Sequence, residues 1–215
     1  MDIARALRVM SDLGATWILW LLVGLSLSAV TIVIERVIYF QRQRDQTAPK
    51  RKQLLNWTRT GRVREVVEAL EECRGVEAQV ALAALRTAGM RSASTSHAMD
   101  GASERARIQM ERGLSFLGTV GSNAPFVGLL GTVIGIIRSF SMLDASNGRV
   151  STGLMTEVGE ALIATAVGIL VALPAVAAFN YFQGVVKRRL SSARALAAEL
   201  ISHDPLAHRV LKAAE

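Results

Sequence analysis

Inside its two most oily later stretches the chain keeps side chains that can hold or pass a proton. They are Thr119, Ser122, Asn123, Thr132 and Arg138 in one, and Glu157, Glu160 and Thr165 in the next. A charge near a bilayer centre costs at least about 2.5–3.5 kcal/mol on insertion scales, so such a residue is kept for a role or lies near the surface. Arg138 and Glu160 both fall toward one end of their stretches, and an ion pair between them is the expectation. Glu157 is a further candidate for that pair, which would act as a staple or as a gate. Thr132 and Thr165 stand at comparable depth, and on adjacent antiparallel helices two such hydroxyls can line one polar stripe. The same residues would also serve plain helix packing.

Chemistry of other kinds finds little support. Cys73 is the single cysteine, so no intramolecular disulfide or redox pair forms. His97, His203 and His208 have no ligand spacing with one another or with Cys73, and are expected on the surface with no metal bound. The chain has no nucleophile–base set and no phosphate loop, so an enzyme is not expected, and no cofactor beyond a coupling ion is implied. The formal net charge of +7 could suggest nucleic acid, but aromatics make up only 5% and the basic residues cluster beside apolar blocks. No base-stacking platform results. Topology signal and contact with anionic phospholipid explain the basic excess better.

The elements that must position these residues follow from segregation. Of 215 residues 51% are hydrophobic and 20% charged, gathered into separate blocks rather than interleaved as in a soluble domain. The uncharged stretch 15–34 covers roughly 30 Å as a helix, the hydrocarbon thickness. Trp17 and Trp20 flank it at one end, Tyr39 and Phe40 at the other. A first span over 15–40 is therefore expected, preceded by an amphipathic interfacial helix over 1–14, with no cleaved signal peptide. The basic run Arg42, Arg44, Lys50, Arg51 and Lys52 puts the following region, 41–112, in the cytoplasm.

That region reads as soluble helices. Val63, Val66, Val67 and Leu70 form an apolar stripe continued by Val80, Leu82, Ala83 and Leu85, too thin for an independent core. A second span over 113–143, a periplasmic loop at 144–155, a third span over 156–182 and a cytoplasmic helix over 183–215 complete the chain. Lys187, Arg188 and Arg189 fix the last end inside. The fold class is an all-α integral membrane protein with three transmembrane helices, N-out and C-in, extended by long cytoplasmic helices. Gly128, Gly131, Gly135 and Gly168, with Pro125 and Pro174, are assigned to helix packing, because small residues let helices approach closely in lipid.

The runs 124–137 (APFVGLLGTVIGII) and 158–176 (VGEALIATAVGILVALPAV), with 35–40 (ERVIYF) closing the first span, resemble the MotA/TolQ/ExbB proton-channel family, in its ExbB/TolQ-like branch. The resemblance implies a homo-pentamer in the inner membrane of a Gram-negative bacterium. Its second and third helices would surround the transmembrane helices of a dimeric, single-span partner of the ExbD/TolR type. That partner supplies a membrane aspartate, and proton flow is coupled to mechanical work on the cell envelope. It also implies that Thr132 and Thr165 face the pore and that Glu160 is the glutamate near the start of the third helix. Arg138 has no counterpart in that pattern. The alternative is a non-conducting scaffold that positions a partner complex.

The orientation is open to direct test. A thiol reagent excluded from the cytoplasm is expected to label Asn147→Cys and to leave Thr60→Cys unlabelled in intact cells. The reverse pattern overturns the topology.

Overall fold

A computed structural model describes residues 16–43, 45–88, 92–145 and 152–203. The expected interfacial helix at 1–14, residues 146–151 of the loop, Pro205 and His208 lie outside the described residues. Seven helices are described: α1 (Thr16–Arg42), α2 (Arg51–Arg59), α3 (Val63–Glu71), α4 (Val76–Thr87), α5 (Ser92–Glu111), α6 (Leu114–Ala145) and α7 (Thr152–His203). Helices α1, α6 and α7 are long and apolar enough to cross a membrane. The third begins at Thr152, earlier than the span expected from 156, and runs unbroken for 52 residues. In lipid, a helix satisfies every backbone group within itself, which is why the apolar blocks take this form.

The chain forms two compact units, Met1–Glu35 with Gly113–Tyr181, and Arg36–Arg112 with Phe182–Glu215. In the first, α6 and α7 make an antiparallel hairpin whose contact is made by small residues. A Cβ added at Gly128 would come within 2.7 Å of the Ala164 carbonyl oxygen, and one at Gly168 within 2.7 Å of the Ala124 carbonyl oxygen. A Cβ at Gly121 would meet Val176, one at Gly131 would meet Ala164, and one at Gly135 would meet Ala161, all at 2.7 Å or less. Gly121, Gly128 and Gly135 recur every seven residues, the spacing that keeps one seam facing a partner helix. Ala161, Gly168 and Ala175 answer them with the same period on α7. α1 covers one side of this seam: Ile18 and Leu22 are fully buried, and the Ile18 side chain lies against Gly131. Trp20, Leu27, Phe126, Leu162 and Leu170 point outward and are largely exposed on the single chain.

The second unit builds its core from α3, α4 and α5 together with the end of α1 and the second half of α7. Phe40, Leu70, Val80, Met110, Phe182, Leu196 and Leu200 are buried in it. The thin stripe of the soluble region thus gains a second wall from the long helices. The buried apolar face of α4 is Val76, Ala78, Val80, Ala81, Ala84 and Leu85, which keeps Val80 and Leu85 of the expected stripe and leaves Leu82 and Ala83 only half-buried. Arginines tie the helix ends: Arg189 donates to the Phe40 and Gln43 carbonyls at the end of α1, and Arg36 to the Gln109 and Met110 carbonyls at the end of α5. Both satisfy carbonyls that a helix end leaves without a partner. Arg51 grips Glu199 bidentately, at 2.6 and 3.0 Å, and holds that carboxyl below its ordinary range. Glu77, in the first turn of α4, is 1% exposed, and burial pushes its carboxyl up.

The glycine seam makes a contrast measurable. Gly128→Ala or Gly168→Ala is expected to destabilise the hairpin by about 1–3 kcal/mol, because backbone rather than a flexible side chain must move. Gly159→Ala and Gly184→Ala, where an added Cβ meets nothing within 4 Å, are expected to be neutral or stabilising by up to about 1 kcal/mol. Unfolding by SDS in mixed micelles, followed by circular dichroism, separates the two classes.

Candidate functional site

The polar residues of α6 and α7 divide into two groups, and the glycine seam decides which goes where. Gly131 faces Ala164. Thr132 and Thr165 each follow one of those seam residues, so each is turned about 100° from the seam. Because the helices run antiparallel, the two rotations carry both threonines to the same side of the hairpin at the same depth. Their hydroxyls end on consecutive carbonyls of one helical turn. Thr132 donates to the Leu129 carbonyl at 2.6 Å and Thr165 donates across the seam to the Gly128 carbonyl at 3.1 Å. Both residues are half-buried.

The direction of these bonds is fixed, since a carbonyl cannot donate. Each threonine has one proton and two lone pairs, and the proton is spent on the backbone. What remains toward any incoming group is acceptor capacity. Such a patch favours a group that brings its own proton, a protonated carboxyl above all, and gives an ionised carboxylate no donor.

Several other hydroxyls of α6 bond within their own helix. Thr119 donates to the Ser115 carbonyl, Ser122 to the Gly118 and Thr119 carbonyls, and Ser139 to the Gly135 carbonyl. Asn123 donates to the Thr119 carbonyl. Thr119, Ser122 and Asn123 supplement backbone bonding in the turns before Pro125, whose ring lacks an N–H and lies inside α6.

The acidic residues stand apart from the threonines. Glu160 precedes Thr165 by five residues, about 140° of net rotation and about 7.5 Å of rise, so it flanks the seam on the opposite side. There it meets α1: the Thr16 hydroxyl donates to Glu160 Oε2 at 3.2 Å. Arg138 pairs with Glu157, the further candidate for that pair, its Nε 3.3 Å from Oε1, and not with Glu160. The glycine register explains the choice, because the positions that meet across the seam set Arg138 level with Glu157. The Glu157 side chain is 14% exposed and its Oε2 is buried without a hydrogen bond. Thr16 was not among the residues picked out from the sequence. A hydroxyl at the head of an apolar helix next to Trp17 carries no distinct signal there.

A groove of about 620 Å³ lies in the second unit between α5 and α7, lined among others by Arg107, Lys187 and Arg194. Arg107 is already paired with Glu104 and Glu111, and Arg194 with Asp100, so most of its charge is neutralised in place. The hairpin, not this groove, concentrates polar groups in the apolar part of the chain.

Comparison with known proteins bears on this hairpin directly. Residues 72–195, which include all of α6 and most of α7, match the model of the MotA/TolQ/ExbB proton channel family. The chain belongs to that family. It is 32% identical over 192 residues to a biopolymer transport protein ExbB of Xanthomonas campestris, covering 81% of this chain and 75% of that protein. It is 46% identical over 85 residues to the Tol-Pal system protein TolQ of Pseudomonas aeruginosa, 40% of this chain and 37% of that one. A putative ExbB-like protein of Helicobacter pylori is 42% identical over 73 residues, 34% of this chain and 49% of its own length. Within the family the chain is of the ExbB/TolQ-like branch, a multi-pass protein of the Gram-negative inner membrane. As a member of a proton channel family, it carries the hydroxyl patch and the two carboxylates within the segment by which the family is recognised.

The Arg138–Glu157 pair sets a test of its own. Removing only the cation in Arg138→Gln leaves a carboxylate with little access to water, and is expected to cost about 3 kcal/mol of stability. The double substitution Arg138→Gln/Glu157→Gln is expected to recover most of that loss in the same SDS unfolding measurement.

Proposed function

We propose that this chain is the stator-like subunit of a proton-motive-force-driven inner-membrane motor. It forms a homo-pentamer whose α6 and α7 helices surround the transmembrane helices of a dimeric ExbD/TolR-like partner. The partner brings a membrane aspartate, and protons are the coupling ion, with no other cofactor. The chain lies N-out and C-in, its basic cytoplasmic flanks resting on anionic phospholipid. The work is done on the cell envelope, in nutrient transport, envelope maintenance or gliding. One observation carries this reading: two threonines from different helices present acceptor lone pairs from one patch, at one depth, in a segment otherwise apolar.

Such a patch suits transient binding of a partner's acid. A protonated carboxyl is held by donating into Thr132 or Thr165, and on ionisation it loses that bond and is released. A fixed cation in the same place would trap the ionised acid, and an apolar wall would offer neither state a partner. Glu160, nearer the periplasmic end and across the seam from the patch, acts as a proton relay on the periplasmic side of the pathway. Arg138 with Glu157 holds the ends of α6 and α7 together beside it.

A non-conducting scaffold is the second reading, favoured by one observation. Thr165 spends its proton as a staple between α6 and α7, which is a packing role in itself. The two readings part on Thr132→Val/Thr165→Val. The motor requires that this variant still assemble with its partner but lose proton-coupled work and proton flux into membrane vesicles. The corresponding double serine variant is expected to keep both. Full flux in the valine variant overturns the motor reading and leaves the scaffold.

A further inference from the structure

Glu157 and Glu160 stand one helical turn apart on α7, yet their partners differ in kind. Glu157 has a cation, Arg138. Glu160 has a neutral hydroxyl, Thr16 of α1. Residues three apart on a helix are surface neighbours, with about 5–6 Å between their Cβ atoms. Arg138 also lies off the seam toward α1, the side to which Glu160 turns. A guanidinium carries five N–H donors and readily engages two carboxylates. Among the described residues one arginine and two glutamates therefore share this end of the hairpin, and Arg138 is the cation next to which Glu160 stands. The stretch of α1 that lies along the hairpin, up to residue 34, is uncharged. Beside Thr16, the Trp17 indole N–H is buried with no acceptor among the described residues. The donor that reaches Glu160 is thus the hydroxyl.

We propose that Thr16 is a positioning residue: it holds the Glu160 carboxylate on α1 and out of the Arg138–Glu157 pair, so that Glu160 stays free to exchange a proton. A carboxylate locked against a guanidinium keeps its negative charge, whereas one held by a single neutral hydroxyl accepts and returns a proton without breaking an ion pair. Glu157 supplies the counter-charge that Arg138 needs, and Thr16 prevents the second glutamate from being drawn into the same pair. The first span then takes part in proton transfer although it carries no titratable group in its apolar stretch. This assignment rests on the proposed role of Glu160 as a proton relay.

The test measures proton flux in membrane vesicles containing the full-length chain assembled with its partner, each variant compared at equal assembled amount. Thr16→Val is expected to lower flux on the order of tenfold, the scale of one hydrogen bond to a charged group, and Thr16→Ser to restore it. In the Arg138→Gln/Glu157→Gln background, where the Arg138 guanidinium is no longer there to capture Glu160, Thr16→Val is expected to cause no further loss. Should that background fail to assemble, the infrared carbonyl band of protonated Glu160, assigned by its loss in Glu160→Gln, decides instead. It is expected to be missing in Thr16→Val over the pH range where the parent shows it. Wild-type flux in Glu160→Gln removes the relay reading itself, and this proposal with it. Loss of flux in Glu160→Gln together with wild-type flux in Thr16→Val overturns the positioning role alone. So does a serine variant that fails to rescue, an equal loss in the neutral background, or an unchanged infrared band.

Discussion

The backbones of α6 and α7 touch at Gly128 and Gly168, and most of what the membrane unit can do depends on how closely they touch. Lipid gives two apolar helices no hydrophobic reason to associate, so association comes from dispersion at short range and from the few polar contacts that close approach permits. With no Cβ at either glycine, each carbonyl lies where a side chain would otherwise be. The contact is narrow and repeats every seven residues along α6, which makes the register stiff. Sliding one helix by a single residue would bring Cβ atoms against carbonyl oxygens at several levels together.

That register distributes the polar groups. It brings the Thr165 hydroxyl within reach of the Gly128 carbonyl, which only a close backbone approach allows. It sets Arg138 level with Glu157. It also turns the positions on either side of the seam to opposite sides of the hairpin, so the threonines and Glu160 part company. The covering helix α1 completes the division, since it packs on the side of Glu160 and leaves the threonine side open. One steric constraint thereby produces two polar surfaces with different chemistry, one of acceptor hydroxyls and one of carboxylates.

Much of this was legible in the sequence, for reasons that can be named. Apolar length located three spans, because in lipid a helix needs only enough oily residues to cross. The glycines at 128, 131, 135 and 168 announced a packing face, and the hydroxyls at 132 and 165 stood out against their surroundings. Partner choice was legible only as a pair of candidates, Glu157 and Glu160. Arg138 was matched to Glu160 by rough depth, but which of two glutamates it meets turns on a register fixed by Cβ-sized contacts. That Glu160 would turn away from Thr165 follows from their five-residue spacing only once the seam is known. Thr16 was invisible because its significance lies in another helix. In the second unit the apolar stripe of α4 was right at Val80 and Leu85 and wrong at Leu82 and Ala83, where Ala81 and Ala84 are buried instead. There the period gave the helix, but the walls that choose its buried face come from α1 and α7, distant in the chain.

The contrast between Glu157 and Glu160 shows how little is needed to separate two identical groups. Both are carboxylates on one helix, one turn apart, at the end of an apolar stretch. The partners that the two find differ in consequence. An arginine compensates only the ionised form, so it fixes the charge and turns the residue into part of the scaffold. A threonine hydroxyl can donate to a carboxylate oxygen or to the carbonyl oxygen of the protonated acid, so it orients the group without choosing its state. The hydroxyls at 132 and 165 differ again, because their protons are already given to the backbone and only a protonated visitor suits them. An ion pair, a carboxylate oriented by a hydroxyl and a patch of acceptor lone pairs are thus made from one arginine, two glutamates and three threonines, and the partner of each side chain, rather than its type, sets what it can do.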